Sequence, residues 1–221
     1  MAEVVARMVR IWDPFVRIGH WILVATFFIA YLTEDDLLGI HVWAGYVVGT
    51  IVVLRIIWGF FGPSYARFSN FVRGPKKVFS YLRDLILFRA PRYLGHSPAG
   101  GAMVIALLLS LAATVGTGLV AYGAEHHAGP LASYFASESA SGATQPTVGA
   151  VDGLNEPGVR ERAGETGDET FKEIHEFFAN LTLVLIVLHI AGVGFASVVH
   201  RENLVRAMIT GDKRVDNSTL H

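Results

Sequence analysis

His175-Glu-Phe-Phe-Ala-Asn-Leu-Thr-Leu-Val-Leu-Ile-Val-Leu-His189 is an apolar run closed at each end by a histidine, and its reading decides the fold. From Phe177 to Val199 the chain carries no formal charge. In a helix that length crosses a hydrocarbon core of about 30 Å, which takes roughly 20 apolar residues. The two histidines stand 14 residues apart. At the helical rise this separation is about 21 Å along the axis. Because the interval is two heptads, both imidazoles face one seam of a bundle. One helix therefore presents an inward-facing imidazole near each side of a membrane.

Working outward, three further stretches qualify as spans, giving 15–32, 38–61, 99–122 and 177–199 in all. With 52% hydrophobic and 17% charged residues, the 221-residue chain is too apolar for an ordinary soluble domain. The sequence therefore predicts an all-α integral membrane protein, a four-transmembrane-helix bundle forming one domain over 1–221. A net charge of −1 gives no reason to expect nucleic acid as a partner; membrane lipid is the expected surrounding. The absence of cysteine excludes disulfides, thiolate-ligated iron–sulfur clusters and covalent c-type haem attachment. The basic N-terminal decapeptide leads into an apolar stretch without a small-residue cleavage site, so the first helix is expected to be retained.

Charge sorting sets the orientation. Between the second and third spans, Arg67, Arg73, Lys76, Lys77, Arg83, Arg89 and Arg92 face the single acid Asp84. Cytoplasmic loops keep such cations. The turn Glu34-Asp35-Asp36 and the segment 123–176, with ten acids, are expected outside. Both termini carry basic residues and are expected in the cytoplasm, and the expected location is a bacterial inner membrane. Within the inner loop, Val78, Phe79, Leu82, Leu85 and Ile86 recur at helical spacing among cations, predicting a helix in the membrane interface. The outer stretch 136–170 is rich in Gly, Ser and acids without periodicity and is expected as a long loop, either flexible or ordered by a partner.

Ionisable residues inside a membrane are costly and mark function. His20 and His41 match the two histidines of the last span in depth. His20 lies ten residues after Arg10, and His189 twelve before Arg201, so both sit at an inner level. His41 follows the acidic turn, and His175 follows Asp168 and Glu169, at an outer level. The simplest reading is two bis-histidine haem b sites, His20 with His189 and His41 with His175, built from facing helices. A zinc or copper centre fits less well, because the pairs are distant and no carboxylate or thiolate completes a tetrahedral set. A proton relay is the other reading of intramembrane histidines, and a transporter lacks its expected repeat and broken spans.

Arg55 in the second span and Arg17 beside His20 are candidates for haem propionates, against simple snorkelling. Gly45, one turn beyond His41, and Gly192, near His189, would let a flat macrocycle approach, although small residues also serve helix packing. His96 is expected to be interfacial or capping, His126 and His127 solvated, His200 at the inner boundary and His221 terminal.

Arg17-Ile-Gly-His20-Trp21, His41-Val-Trp-Ala-Gly45-Tyr, Leu54-Arg55-Ile-Ile-Trp58, Gly95-His96-Ser-Pro98-Ala-Gly-Gly-Ala, and the His175/His189 interval together resemble the prokaryotic cytochrome b561 family, including the cytochrome b subunits of nickel–iron hydrogenases. The resemblance runs from Trp12 to about Arg206, apart from most of the outer segment. It implies a four-helix cytochrome with two b haems ligated from the first, second and fourth spans, at His20, His41, His175 and His189. It also implies electron exchange with the quinone pool. The expected partner is a periplasmic c-type cytochrome or hydrogenase, with a stand-alone oxidase of a small reductant such as superoxide, or a haem-bearing anchor subunit, as alternatives. The long outer segment leaves the partner open.

Overall fold

The computed structural model describes residues 7–34, 37–134 and 157–215. Asp35, Asp36, the stretch 135–156 and His221 lie outside them. In chain order the elements are β1 (Arg7–Arg10), α1 (Pro14–Leu32), α2 (Leu38–Phe61), α3 (Phe68–Phe71), α4 (Pro75–Ile86), α5 (Pro98–His126), α6 (Pro157–Val199), α7 (Leu204–Thr210) and β2 (Asp212–Val215). Four of the helices are long and apolar enough to cross a membrane: α1, α2, α5 and the Glu169–Val199 part of α6. At most 17% of any of these windows is buried within the protein, which leaves their outer faces for lipid.

The chain forms two compact units. The first joins residues 1–109 with 182–221, and the second is 110–181. In the first unit α1 packs along α2. Helix α1 starts where Asp13 accepts a hydrogen bond from the Val16 N–H at 3.0 Å, with Pro14 in its first turn. On α2, Ala44, Val48, Val52 and Gly59 are its buried residues. Their 4-4-7 spacing makes one stripe, and His41 and Arg55 fall on the same stripe, so both polar side chains belong to the inward face.

Helix α4 confirms the interfacial helix with one refinement. Of the residues read as a single apolar face, Leu85 is buried, together with Tyr81, whereas Phe79, Leu82 and Ile86 remain exposed. One stripe anchors the helix to the protein, and the other is left for the acyl boundary.

The ends of the first unit meet in a pair of antiparallel strands, Arg7 opposite Val215 through Arg10 opposite Asp212. Both described ends of the chain thereby lie side by side. Gly211, at φ 90°, ends α7, and its carbonyl accepts from Ile11 and Trp12 at 2.9 and 3.1 Å. A side chain there is excluded twice, since a Cβ would come within 2.9 Å of Arg17 Nη1. Beneath these strands lies an ion triad. Arg92 donates to both Glu202 oxygens at 3.1 and 3.4 Å, and the buried Lys213 ammonium is 3.6 Å from the same carboxylate. Burial pushes the Lys213 amine down and Glu202 opposes the shift.

The largest departure from the sequence reading is in the outer segment. Residues 157–176, expected as part of an irregular loop, are helical and continue without a break into the last span, and the third span runs on to His126, past Glu125. Pro157 pre-sets the backbone for a first turn. Beyond it the sequence offers opposite charges at helical intervals, such as Glu169 and Lys172, rather than an apolar stripe. Periodicity in hydrophobicity is the signal that reveals a helix, and a polar helix lacks it.

Candidate functional site

Within the first unit, α1 and α6 bring His20 and His189 together, with ring centres 6.5 Å apart and ring planes at 58°. Imidazole nitrogens sit about 2 Å from a bound metal, which sets the ring centres of two trans ligands roughly 6 to 6.5 Å apart. The pair stands at that spacing. Trp21 lies edge-on to His20 at 5.1 Å.

The same unit holds several buried nitrogens with no partner. The buried nitrogens His20 Nδ1, Arg17 Nε, Arg55 Nη1, Trp58 Nε1 and His96 Nδ1 have no hydrogen-bond partner among the described residues. Buried polar groups in folded proteins are normally paired, because an unmet donor costs about 1–3 kcal/mol. Arg17 uses its Nη2 on the Ile209 carbonyl, and Arg55 its Nη2 on the Ala66 carbonyl at 3.3 Å, with its guanidinium 5.3 Å from the centre of the Phe68 ring. Each arginine is thus held at one end and open at another. Two cations and two further ring nitrogens match what an anionic group with several acceptor oxygens requires.

His96 belongs to this cluster, and that corrects its expected interfacial or capping role. Its ring sits between Trp12, edge-on at 4.6 Å, and Phe71 at 4.3 Å. The cap of α5 is made instead by Ser97, whose Oγ accepts from the Gly100 N–H at 3.1 Å. Burial pushes the His96 imidazole down to about 3, and the nearby positive charges of Arg55 and Lys213 push the same way. It is neutral at physiological pH. The offset of His96 from the third span concealed it; the short α3 turn, which folds Phe71 over it, has no strong sequence signature.

His41 and His175 lie in different units, and each is oriented within its own. His41 Nδ1 is 2.9 Å from the Ala30 carbonyl of α1. His175 Nδ1 is 2.9 Å from the Thr114 carbonyl of α5 and 3.3 Å from Thr117 Oγ1. A carbonyl can only accept, so in both rings Nδ1 carries the proton and the lone pair resides on Nε2. Histidines that bind metals are commonly oriented in this way, by a carbonyl on the remote nitrogen.

Gly45 and Gly192 have open space where a Cβ would stand, so close helix packing does not account for either. Of the remaining histidines, His200 Nε2 is 3.2 Å from Tyr81 Oη, and His126 stacks on Tyr122 at 5.3 Å beside Glu125. His127 is exposed. No cluster of three or more metal-binding side chains occurs among the described residues.

The model of the prokaryotic cytochrome b561 family matches residues 11–211. The chain belongs to that family. As a prokaryotic cytochrome b561 it is a multi-pass membrane protein that binds haem b and transfers electrons. Neither a curated protein nor a solved structure matches the chain. The match runs from Ile11 to Gly211, so the cytochrome b561 region takes in the four spans and the bonds from Ile11 and Trp12 to the Gly211 carbonyl and stops short of both strands.

Proposed function

We propose that this cytochrome b561 holds two b haems and carries electrons between a periplasmic redox protein and membrane quinone. His20 and His189 are the ligands of the inner haem, and His41 and His175 those of the outer. The observation that carries the reading is the imidazole pair at 6.5 Å, in a unit that also holds buried nitrogens without partners. When bound, haem supplies a one-electron couple that the side chains themselves lack.

The chain's own residues do the rest. Arg17 and Arg55 hold propionates through their open N–H groups, and Trp58 and His96 complete that end of the site. Two guanidinium charges there favour the more negative, reduced state and raise the potential of the inner site. The bonds from Nδ1 of His41 and His175 to carbonyls raise the basicity of Nε2, which favours the oxidised state and lowers the outer potential. Both effects drive electrons from the outer site to the inner one.

The basic loop and the two termini lie in the cytoplasm of a bacterial inner membrane, with the acidic segment outside. An acidic outer face steers a basic partner, a c-type cytochrome or a hydrogenase subunit. Stopped-flow reduction of the purified chain by a reduced basic c-type cytochrome tests this. The rate should fall several-fold between low and physiological ionic strength, with quinone as the final acceptor. A salt-independent rate contradicts the steering, and rapid quinone reduction by superoxide alone favours a stand-alone oxidase.

A further inference from the structure

The third span, α5, contributes no histidine to either proposed pair, yet in the second unit one face of it is shaped to an imidazole. Thr114, Thr117 and Gly118 occupy positions i, i+3 and i+4, which share a helix face. Each meets the His175 ring. The Thr114 carbonyl accepts from Nδ1 at 2.9 Å, and Thr117 Oγ1 stands 3.3 Å from the same nitrogen. At Gly118 the ring lies against the helix so closely that an added Cβ would be 2.8 Å from Cε1, 3.1 Å from Nδ1 and 3.5 Å from Nε2. Real Cβ atoms do not approach that closely, and here the obstacle is a ring with only two torsions to yield. Thr117 also donates to the Ala113 carbonyl at 2.8 Å, which fixes its rotamer and turns an oxygen lone pair toward Nδ1.

We propose that Thr114, Thr117 and Gly118 form a seat on the third span that positions His175 as an outer haem ligand and fixes its Nδ1–H tautomer. The inference rests on the dihaem reading above. The seat gives a span without ligands a part in the site: its backbone sets which nitrogen carries the lone pair, and its missing side chain sets where the ring plane lies. Gly118 is a positioning residue in this scheme, and Thr117 assists through its hydroxyl. His20 has no such seat, since its Nδ1 has no partner among the described residues.

The test compares wild type with Gly118→Ala, Thr117→Val and Thr117→Ser. In the haem-loaded chain, haem content and the low-spin EPR signals of the two haems are read; those signals report ligand-plane orientation. In haem-depleted chain, nitrogen NMR of labelled histidine reads the His175 tautomer. Gly118→Ala should shift one of the two EPR signals and leave the other, with haem content near two per chain. Thr117→Val should shift the same signal less, and Thr117→Ser should restore it. His175 should read as the Nδ1–H tautomer in wild type. Two haems with signals unchanged in both Gly118→Ala and Thr117→Val overturn the seat and spare the dihaem reading, as does an Nε2–H tautomer in wild type. A wild-type chain with a single haem overturns both.

Discussion

The two proposed ligand pairs of this cytochrome, His20 with His189 and His41 with His175, are held by opposite means. In the proposed inner pair two imidazoles stand at 6.5 Å, and in the same unit the buried Arg17 Nε, Arg55 Nη1, Trp58 Nε1 and His96 Nδ1 have no hydrogen-bond partner among the described residues. At the outer level each imidazole is already bonded to a backbone carbonyl, of Ala30 or of Thr114. The imidazoles of the proposed outer pair are thus oriented by backbone carbonyls, whereas the proposed inner site keeps polar capacity that the propionates of a bound haem would satisfy. It follows that haem should stabilise the inner region most, because binding there relieves several buried unmet donors at once.

The strongest way to break this comparison is to remove one ligand from each set. His189→Ala should abolish one haem and leave the other, halving the haem content by pyridine haemochromogen assay, and His41→Ala should do the same for the outer haem. The two variants should lose different components of the reduced-minus-oxidised spectrum; loss of the same component would dismiss the pairing.

A second substitution acts on the base of the inner region. Glu202→Ala leaves Arg92 and the buried Lys213 without their shared carboxylate. Removing one member of a buried ion group costs about 3 kcal/mol. A drop of several degrees in the thermal transition is expected, and an unchanged transition would assign the triad no structural part.

Next in size is Arg55→Met. It removes a cation from the inner site only, so potentiometric titration should show the higher of the two midpoints moving down while the lower stays. A fall in the lower midpoint would reverse the assignment of high and low potential to inner and outer sites.

The smallest effect is one of pH. His96 is held down to about 3 in the folded chain, against an ordinary value of about 6.5. Between those values the unfolded chain binds up to one more proton than the folded one, so the contribution of neutral His96 is fully present above pH 6.5 and is lost as pH falls toward 3. His96→Phe should therefore flatten the acid side of the stability profile. An equally steep acid limb in the variant would place the titration elsewhere.

The sequence exposed the spans and the amphipathic helix of the inner loop because each has a local signature, apolar length or a 3.6-residue period, and it singled out the four candidate ligands as imidazoles at matched positions along the spans. Other parts of the site have none. The seat on α5 consists of two threonines and a glycine, residue types that occur in any membrane helix, and only the position of His175 across from them gives them meaning. His96 lies outside the spans and is brought inward by Trp12 and Phe71, a long-range packing event. The polar helix from Pro157 and the strands joining Arg7–Arg10 to Asp212–Val215 lack hydrophobic patterning, so nothing local announces them.

The most direct test of the account is haem quantitation on the purified full chain by pyridine haemochromogen against protein concentration. The account predicts about two b-type haems per chain in wild type and about one in both His189→Ala and His41→Ala. One haem in the wild type, or none in folded protein, would contradict it.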